Sequence, residues 1–160
     1  MKKYIIITVL YILTTIISGC DGTIIPKYRN LPNLGCGYIF DTCDGNSLAI
    51  INSDNNIMID DIILDYAFDS IFIIASQRPW DVPGVSGIKE MTYNQRNESF
   101  EKSTFRQYWI INKKERVDYT LDTLTQLARY SNVYGPFKKE EYLHKREELG
   151  VPKELKLKEE

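Results

Sequence analysis

Histidine and cysteine are scarce in this chain, and neither sign of charge dominates. The 160 residues include one His and three Cys, and 20 basic side chains are balanced by 22 acidic ones. A formal net charge of −2 excludes a strongly basic nucleic-acid binder. With 43% hydrophobic residues, the chain is neither disordered throughout nor a collagen-like fibre, and its length suits one domain with a real core.

Long apolar runs are also rare, since only residues 4–17 form one. This run is uncharged and rich in Ile, and Lys2 and Lys3 precede it. As a helix its fourteen residues would span about 21 Å, less than the ~30 Å hydrocarbon core of a bilayer. A polytopic membrane protein is therefore excluded, whereas a basic start before a short apolar run is typical of a secretory signal peptide.

The four residues Ile17-Ser18-Gly19-Cys20 resemble the bacterial lipobox, in which the cysteine thiol is acylated and becomes the mature N-terminus. The resemblance implies a lipoprotein signal peptide over residues 1–19 and a membrane anchor through lipid on Cys20. It places the protein in the bacterial cell envelope, outside the cytoplasm. Several acyl chains would give stable anchoring, since a single chain binds only marginally. An ordinary signal peptide or N-terminal anchor with a chance cysteine is the alternative.

Composition divides the rest of the chain into a tether and a domain. Residues 20–34 contain glycine and proline without periodicity, which predicts a lipidated tether. Residues 35–160 begin with short β-branched and aromatic runs and end with helical patterns. This order predicts a single α+β domain, a mostly antiparallel sheet of about five or six short strands followed by C-terminal helices. The predicted strands cover residues 37–40, 48–52, 57–59, 62–68, 71–76 and 105–112.

Two helices are predicted, over residues 121–130 and 138–149. The first has Thr120 as a plausible N-cap and leucines spaced along one face. The second ends at Gly150, which suits the position after a helix, while Lys138 stands where a Ser, Thr or Asp cap is more usual.

Residues 77–104 lack a clear pattern and contain several prolines and glycines, which predicts a long loop. Loops of this length are functional or mobile. Arg78, Trp80, Tyr93 and Arg96 are typical anchors of a binding loop. The competing interpretation is that these side chains fold back over the edge of the sheet.

Cys36 and Cys43 are the thiols that remain once Cys20 is acylated. Outside the cytoplasm an even pair usually forms a disulfide, provided that the two Cα atoms approach within ~4.4–6.8 Å. Two free thiols are the alternative, because residues 37–40 look extended. Metal binding is disfavoured, since no histidine lies nearby.

No pattern typical of catalysis or of a cofactor site occurs in the sequence. His144 has no partner pattern of the Ser-His-Asp or Cys-His kind. The acidic run at residues 41–46 has the wrong offsets for a calcium loop, and zinc spacings and Gly-rich phosphate loops are missing. We therefore predict no catalytic residues, no metal and no cofactor.

Three motifs resemble a family of small uncharacterised bacterial lipoproteins with a domain of unknown function. They are Tyr108-Trp109-Ile110-Ile111, Gly135-Pro136-Phe137 and Glu148-Leu149-Gly150-Val151-Pro152. Relative to that shorter pattern, residues 77–104 and 121–130 look like insertions. The resemblance implies the envelope location and the fold, and it brings no catalytic residue and no ligand.

Together these observations predict a lipid-anchored, non-enzymatic binding or scaffold module with an unidentified protein or glycan partner and no nucleic acid. An inhibitor or immunity-type lipoprotein is one alternative, and a carboxylate-dependent hydrolase is another. Clustered carboxylates in a concave pocket would favour the hydrolase, and an exposed aromatic surface would favour the binding module.

Overall fold

The computed structural model describes residues 31–43, 47–60, 62–80, 87, 90–122 and 128–158. Within these residues lie ten strands in three antiparallel sheets and two helices. The predicted α+β class with mostly antiparallel sheet is confirmed, although there are more strands than expected. Residues 1–30, which include the lipobox and Cys20, lie outside the described residues, so the signal peptide and the lipid anchor stay predictions.

The first sheet is a meander with the strand order β1-β2-β3-β4. Its strands are β1 (Asn33–Gly35), β2 (Tyr38–Cys43), β3 (Ser47–Ile51) and β4 (Ile57–Ile59). The turn between β1 and β2 uses positive φ angles at Gly35, Cys36 and Gly37. Because β1 pairs with β2 and Leu34 is fully buried, the predicted tether over residues 20–34 is wrong at its C-terminal end.

The second sheet is built from β5 (Ile63–Phe68), β6 (Phe72–Gln77) and β7 (Gln107–Asn112), together with β10. Before β10 the chain forms a separate two-stranded hairpin, β8 (Tyr119–Leu121) with β9 (Ala128–Tyr130). Strand β10 (Val133–Phe137) then pairs with β7, which gives the order β10-β7-β6-β5.

The second sheet is the middle layer of the domain. Its alternating side chains enter two apolar clusters, as period-two strand geometry requires. On β6, Ile73 and Ala75 pack toward the first sheet, while Phe72 and Ile74 join the cluster that contains Tyr142 and the C-terminal segment. All six residues of β6 are buried.

Helix α1 (Tyr93–Lys102) lies between β6 and β7, and helix α2 (Lys139–Leu149) follows β10. Helix α2 corresponds to the helix predicted over residues 138–149. The backbone N–H of Lys138 donates to Oε2 of Glu141 (2.9 Å), and Gly150 adopts the left-handed conformation that ends the helix. No helix in the described ranges combines the length and the apolar character needed to cross a membrane.

Buried Arg146 ties helix α2 to the C-terminal segment. Its Nη2 donates to the backbone oxygens of Pro152 (3.0 Å) and Leu155 (2.5 Å). The segment is also fixed to β5, because the backbone N–H of Lys158 donates to the Asp65 carboxylate at 2.5 Å. These bonds hold the segment against the second sheet.

Two predictions about the long insertions are wrong. The helix predicted over residues 121–130 is replaced by the hairpin, in which Tyr119 pairs with Tyr130 and Leu121 with Ala128; residues 123–127 lie outside the described residues. Cross-strand pairing, which includes the ring contact of Tyr119 with Tyr130, outweighs the helical spacing of the leucines here.

The predicted loop over residues 77–104 begins inside β6 and contains α1. The N-terminus of α1 is a capping box, in which the Thr92 hydroxyl accepts from the Gln95 backbone N–H (3.4 Å) and the Gln95 side chain accepts from the Thr92 backbone N–H (2.9 Å). The Thr-x-x-Gln spacing was therefore a readable signal for this helix.

Candidate functional site

A groove of about 750 Å³ opens beside β4, the edge strand of the first sheet. One wall comes from β4 and its flanking turns: Asn55, Asn56, Ile57, Met58 and Asp60. The other walls come from the second sheet, the segment after β6 and the hairpin, and include Gln77, Trp80, Gln107, Trp109, Tyr130 and Pro136. We refer to this space as the groove.

Gln77 is the polar anchor of the groove and is only 3% exposed. Its Oε1 accepts from Nε2 of Gln107 and from the indole Nε1 of Trp109, both at 2.6 Å. Its Nε2 donates to the backbone oxygen of Asp60 at 2.6 Å. An amide with three satisfied bonds cannot rotate at little cost, so Gln77 holds the Trp109 indole in one orientation.

A bulge in β10 makes room for the Trp109 ring. Tyr134 pairs with Ile110 and Phe137 with Tyr108, so Gly135 and Pro136 together lie opposite Trp109. A Cβ atom on Gly135 would lie 2.7 Å from the Tyr108 backbone oxygen and 2.8 Å from the indole. Glycine is therefore required where β10 passes the Trp109 ring.

Trp80 both packs against helix α1 and lines the groove. Its ring centroid lies 5.3 Å from that of buried Phe100 and 5.9 Å from that of Tyr93. The guanidinium of Arg78 lies 5.1 Å from the Phe100 centroid. These contacts join residues within the predicted binding loop, and a binding role for Arg78, Tyr93 and Arg96 stays a prediction.

The chain has two tryptophans, and both line this groove. The sequence alone suggested Trp80 as a loop anchor, whereas strand alternation left open whether Trp109 faces the core or the solvent. In the structure Trp109 is partly buried, packs against the cluster between the two sheets and also reaches the groove. Gln77 and Gln107 were not singled out, because no local pattern shows that strand pairing brings them together.

The polar groups of the groove are mostly uncharged. Among its described lining residues none is basic, and Asp60 is the one acidic side chain. Burial raises the pKa of the Tyr130 hydroxyl, which is therefore a neutral group at physiological pH that both donates and accepts hydrogen bonds. The groove thus offers aromatic rings, amides and a hydroxyl for binding.

A family model matches residues 37–160 of this chain, which covers the domain from the turn before β2 onward. Its description is "Protein of unknown function (DUF3997)". The chain belongs to this family. The predicted resemblance to an uncharacterised family is therefore confirmed, and the description assigns no activity. No curated protein and no solved structure matches the chain.

Of the two alternatives for Cys36 and Cys43 of this DUF3997 chain, the described residues favour free thiols over a disulfide. Cys36 is a free, exposed thiol in the turn before β2, and Cys43 is the last residue of that strand. A six-residue strand spans roughly 17 Å, far beyond the ~4.4–6.8 Å between the Cα atoms of a disulfide. The extended strand therefore keeps the two residues apart.

Among the described residues, no three His, Cys, Asp or Glu side chains form a group that could hold a metal ion. His144 lies exposed on helix α2.

Proposed function

We propose that this DUF3997 chain is a lipid-anchored binding module of the bacterial cell envelope. It holds its partner in the groove through Trp80, Trp109 and the polar groups beside them, without altering the partner chemically. The observation that carries the proposal is that both tryptophans line one groove and that buried Gln77 fixes one of them.

Aromatic side chains contribute large contact area at a small entropic cost, and they dominate the energetics of many binding surfaces. In this groove the cost is lower still, because the Trp109 indole already donates to Gln77 and Trp80 already packs on Phe100. A site ordered in advance loses little freedom when it binds. The groove is thus prepared for binding by the fold itself.

The membrane part of the proposal is supported by Ile17-Ser18-Gly19-Cys20 and its basic, apolar leader. Cys20→Ser removes the thiol that would carry the lipid. We expect labelling with an alkyne fatty acid to disappear in this variant and an unprocessed precursor to accumulate. Labelling equal to that of the wild type would contradict lipid anchoring.

The groove part is tested with the detergent-solubilised full chain and sedimented envelope fragments of the host bacterium. We expect Trp80→Ala to weaken co-sedimentation by about tenfold or more. Leu143→Ala is the matched control, since Leu143 is 44% exposed on helix α2 and does not line the groove. Equal binding by both variants would show that the groove is not the binding site.

A further inference from the structure

We infer that the ligand of the groove is an uncharged carbohydrate chain bearing vicinal hydroxyl groups. The inference rests on the proposed function and names the chemical class of its partner. It follows from the combination of aromatic rings with amide groups in a groove whose described lining has a single acidic and no basic side chain.

The aromatic rings suit the apolar faces of sugar rings. Trp80, Trp109 and Tyr130 supply three rings to the walls of one groove. The face of an aromatic ring carries partial negative charge. The C–H bonds on one face of a pyranose are polarised by the neighbouring oxygens and carry partial positive charge, so the two faces attract each other.

The amides suit the hydroxyl groups at the rim of a sugar ring. Asn55, Asn56 and Gln107 line the groove beside the rings, and each amide carries both a donor and an acceptor group. A vicinal pair of hydroxyls likewise offers a donor and an acceptor side by side. The pair can therefore bond both ends of one amide.

The charged residues of the groove lining distinguish a neutral glycan from anionic ligands. Phosphates, nucleic acids and acidic polysaccharides are usually bound through Arg and Lys, which supply charge-assisted hydrogen bonds. The described lining of the groove contains neither residue. An uncharged ligand does not need charge-assisted hydrogen bonds from Arg or Lys.

The edge strand of the groove is poorly suited to a peptide ligand, which would have to pair with β4. Strand β4 has only three residues, and its pairing with β3 is irregular between Ile50 and Ile51. Short and bulged edges are the features that discourage strand addition. The groove volume of about 750 Å³ is in the range of small-ligand sites, which suffices for a short stretch of a sugar chain.

The test uses the detergent-solubilised full chain with envelope fragments of the host bacterium in three forms: untreated, oxidised by periodate and then washed, or digested with protease. Periodate cleaves vicinal diols and leaves peptide bonds intact. We expect periodate to reduce groove-dependent co-sedimentation by about tenfold or more and protease to leave it within about twofold. Because the ligand is uncharged, raising salt from about 50 to about 500 mM should change binding little.

Two variants keep the result interpretable. Asn55 has a φ of 60°, so Asn55→Gly removes its amide without straining the backbone; we expect several-fold weaker binding with an unchanged thermal midpoint. Trp80→Phe retains an aromatic ring and should weaken binding less than Trp80→Ala. Since Trp80 and Trp109 are the only tryptophans, soluble oligosaccharide released from the fragments should also change the intrinsic fluorescence.

Each outcome is decisive. Binding that survives periodate, that is lost on protease treatment or that falls steeply with salt overturns the carbohydrate inference. If Trp80→Ala still abolishes such binding, the groove remains the binding site of the proposed module. If Trp80→Ala and Asn55→Gly bind like the wild type, the proposed groove function fails as well.

Discussion

The two ends of the β6–β7 ladder differ in the hydrogen bonds that their polar side chains make. Near the pair Phe72–Asn112, Lys113 donates through Nζ to the backbone oxygens of Leu34 (2.7 Å) and Asp69, and so joins the first sheet to the second. We call this the closed end. At the other end Gln77 pairs with Gln107, and its Oε1 accepts from two side chains of the same sheet.

The closed end also contains Asn132, which is fully buried. Its Nδ2 donates to the hydroxyl of Tyr38 on the first sheet at 2.7 Å and to the backbone oxygen of Asn112 on the second sheet at 3.1 Å. Burial lowers the pKa of Lys113 and raises that of Tyr38, so both groups give up hydration for these bonds. Polar side chains thus close the space between the sheets.

At the Gln77 end a buried polar side chain is also present, but the space beside it stays open. Its bonds orient Trp109 and leave an open groove between β4 and the second sheet. Bonds between the two sheets close the space at the Lys113 end. Gln77 instead bonds mainly within its own sheet, with one further bond to the backbone oxygen of Asp60 just after β4, and a groove remains beside it.

Trp109→Ala should have the largest effect on stability. The substitution removes packing against the cluster between the sheets, and Gln77 loses the indole donor. We expect a loss of about 3 kcal/mol in the free energy of unfolding, at the low end for Trp truncation because the ring is partly exposed. Urea denaturation measures it. Trp109→Phe should cost less, and an unchanged midpoint for Trp109→Ala would mean that the ring adds nothing to the core.

Trp109 also shows how much the sequence could predict. Alternation along Tyr108-Trp109-Ile110-Ile111 placed neighbouring side chains on opposite faces, and the structure confirms this, with Tyr108 and Ile110 in one cluster and Trp109 and Ile111 in the other. Strand periodicity is local, so it can be read without knowing the fold. The groove is not local: Gln77, Gln107 and Gly135 meet only through strand pairing and a bulge.

The misassigned hairpin has a related cause. Leucine spacing predicted a helix at residues 121–130, but Tyr119 and Tyr130 pair across two strands of a hairpin. Such pairs decide strand formation, and single-sequence patterns do not show them. Helix α1, by contrast, had a local signal in Thr92 and Gln95, so it was predictable in principle.

Lys113→Met tests the closed end and should rank second. The oxygens of Leu34 and Asp69 lose a charged donor that a methionine cannot replace. We expect a loss of about 2 kcal/mol, within the ~1.5–3 kcal/mol of hydrogen bonds to charged groups. The adjacent, exposed Lys114→Met serves as the control and should stay within about 0.5 kcal/mol. Equal effects of the two substitutions would show that the bridge between the sheets is not stabilising.

Gln77→Leu tests the end of the ladder at which the groove opens. It should lower the free energy of unfolding by less than Lys113→Met does. Trp109 Nε1 and Gln107 Nε2 lose their acceptor, but both residues line the groove, where water can replace it. We expect a loss of about 1 kcal/mol in stability. We also expect the free energy of binding to envelope fragments to weaken by more than this amount, because the indole is no longer fixed. A stability loss larger than that of Lys113→Met would show that Gln77 stabilises the domain more than Lys113 does.

Tyr134→Phe should have the smallest effect at neutral pH and a distinct effect at alkaline pH. The Tyr134 hydroxyl donates to Oε2 of Glu115 at 2.7 Å, and Oε1 of Glu115 accepts from Asn112 near the closed end. The hydrogen bond to Glu115, followed by burial, raises the pKa of Tyr134 to about 12. We expect a loss of about 1 kcal/mol or less at pH 7.

The sign at alkaline pH follows from the proton count. Between the ordinary tyrosine pKa of about 10 and about 12, folded Tyr134 keeps a proton that the unfolded chain has lost, so its contribution to stability declines as pH rises through this window. Lys113 acts in the opposite sense, since burial lowers its pKa and the folded state releases its proton first. Lys113 is present in both wild type and Tyr134→Phe, so its contribution drops out of the difference between their free energies of unfolding. That difference should shrink from pH 9 to pH 12, and a constant difference would show that the Tyr134–Glu115 bond does not form.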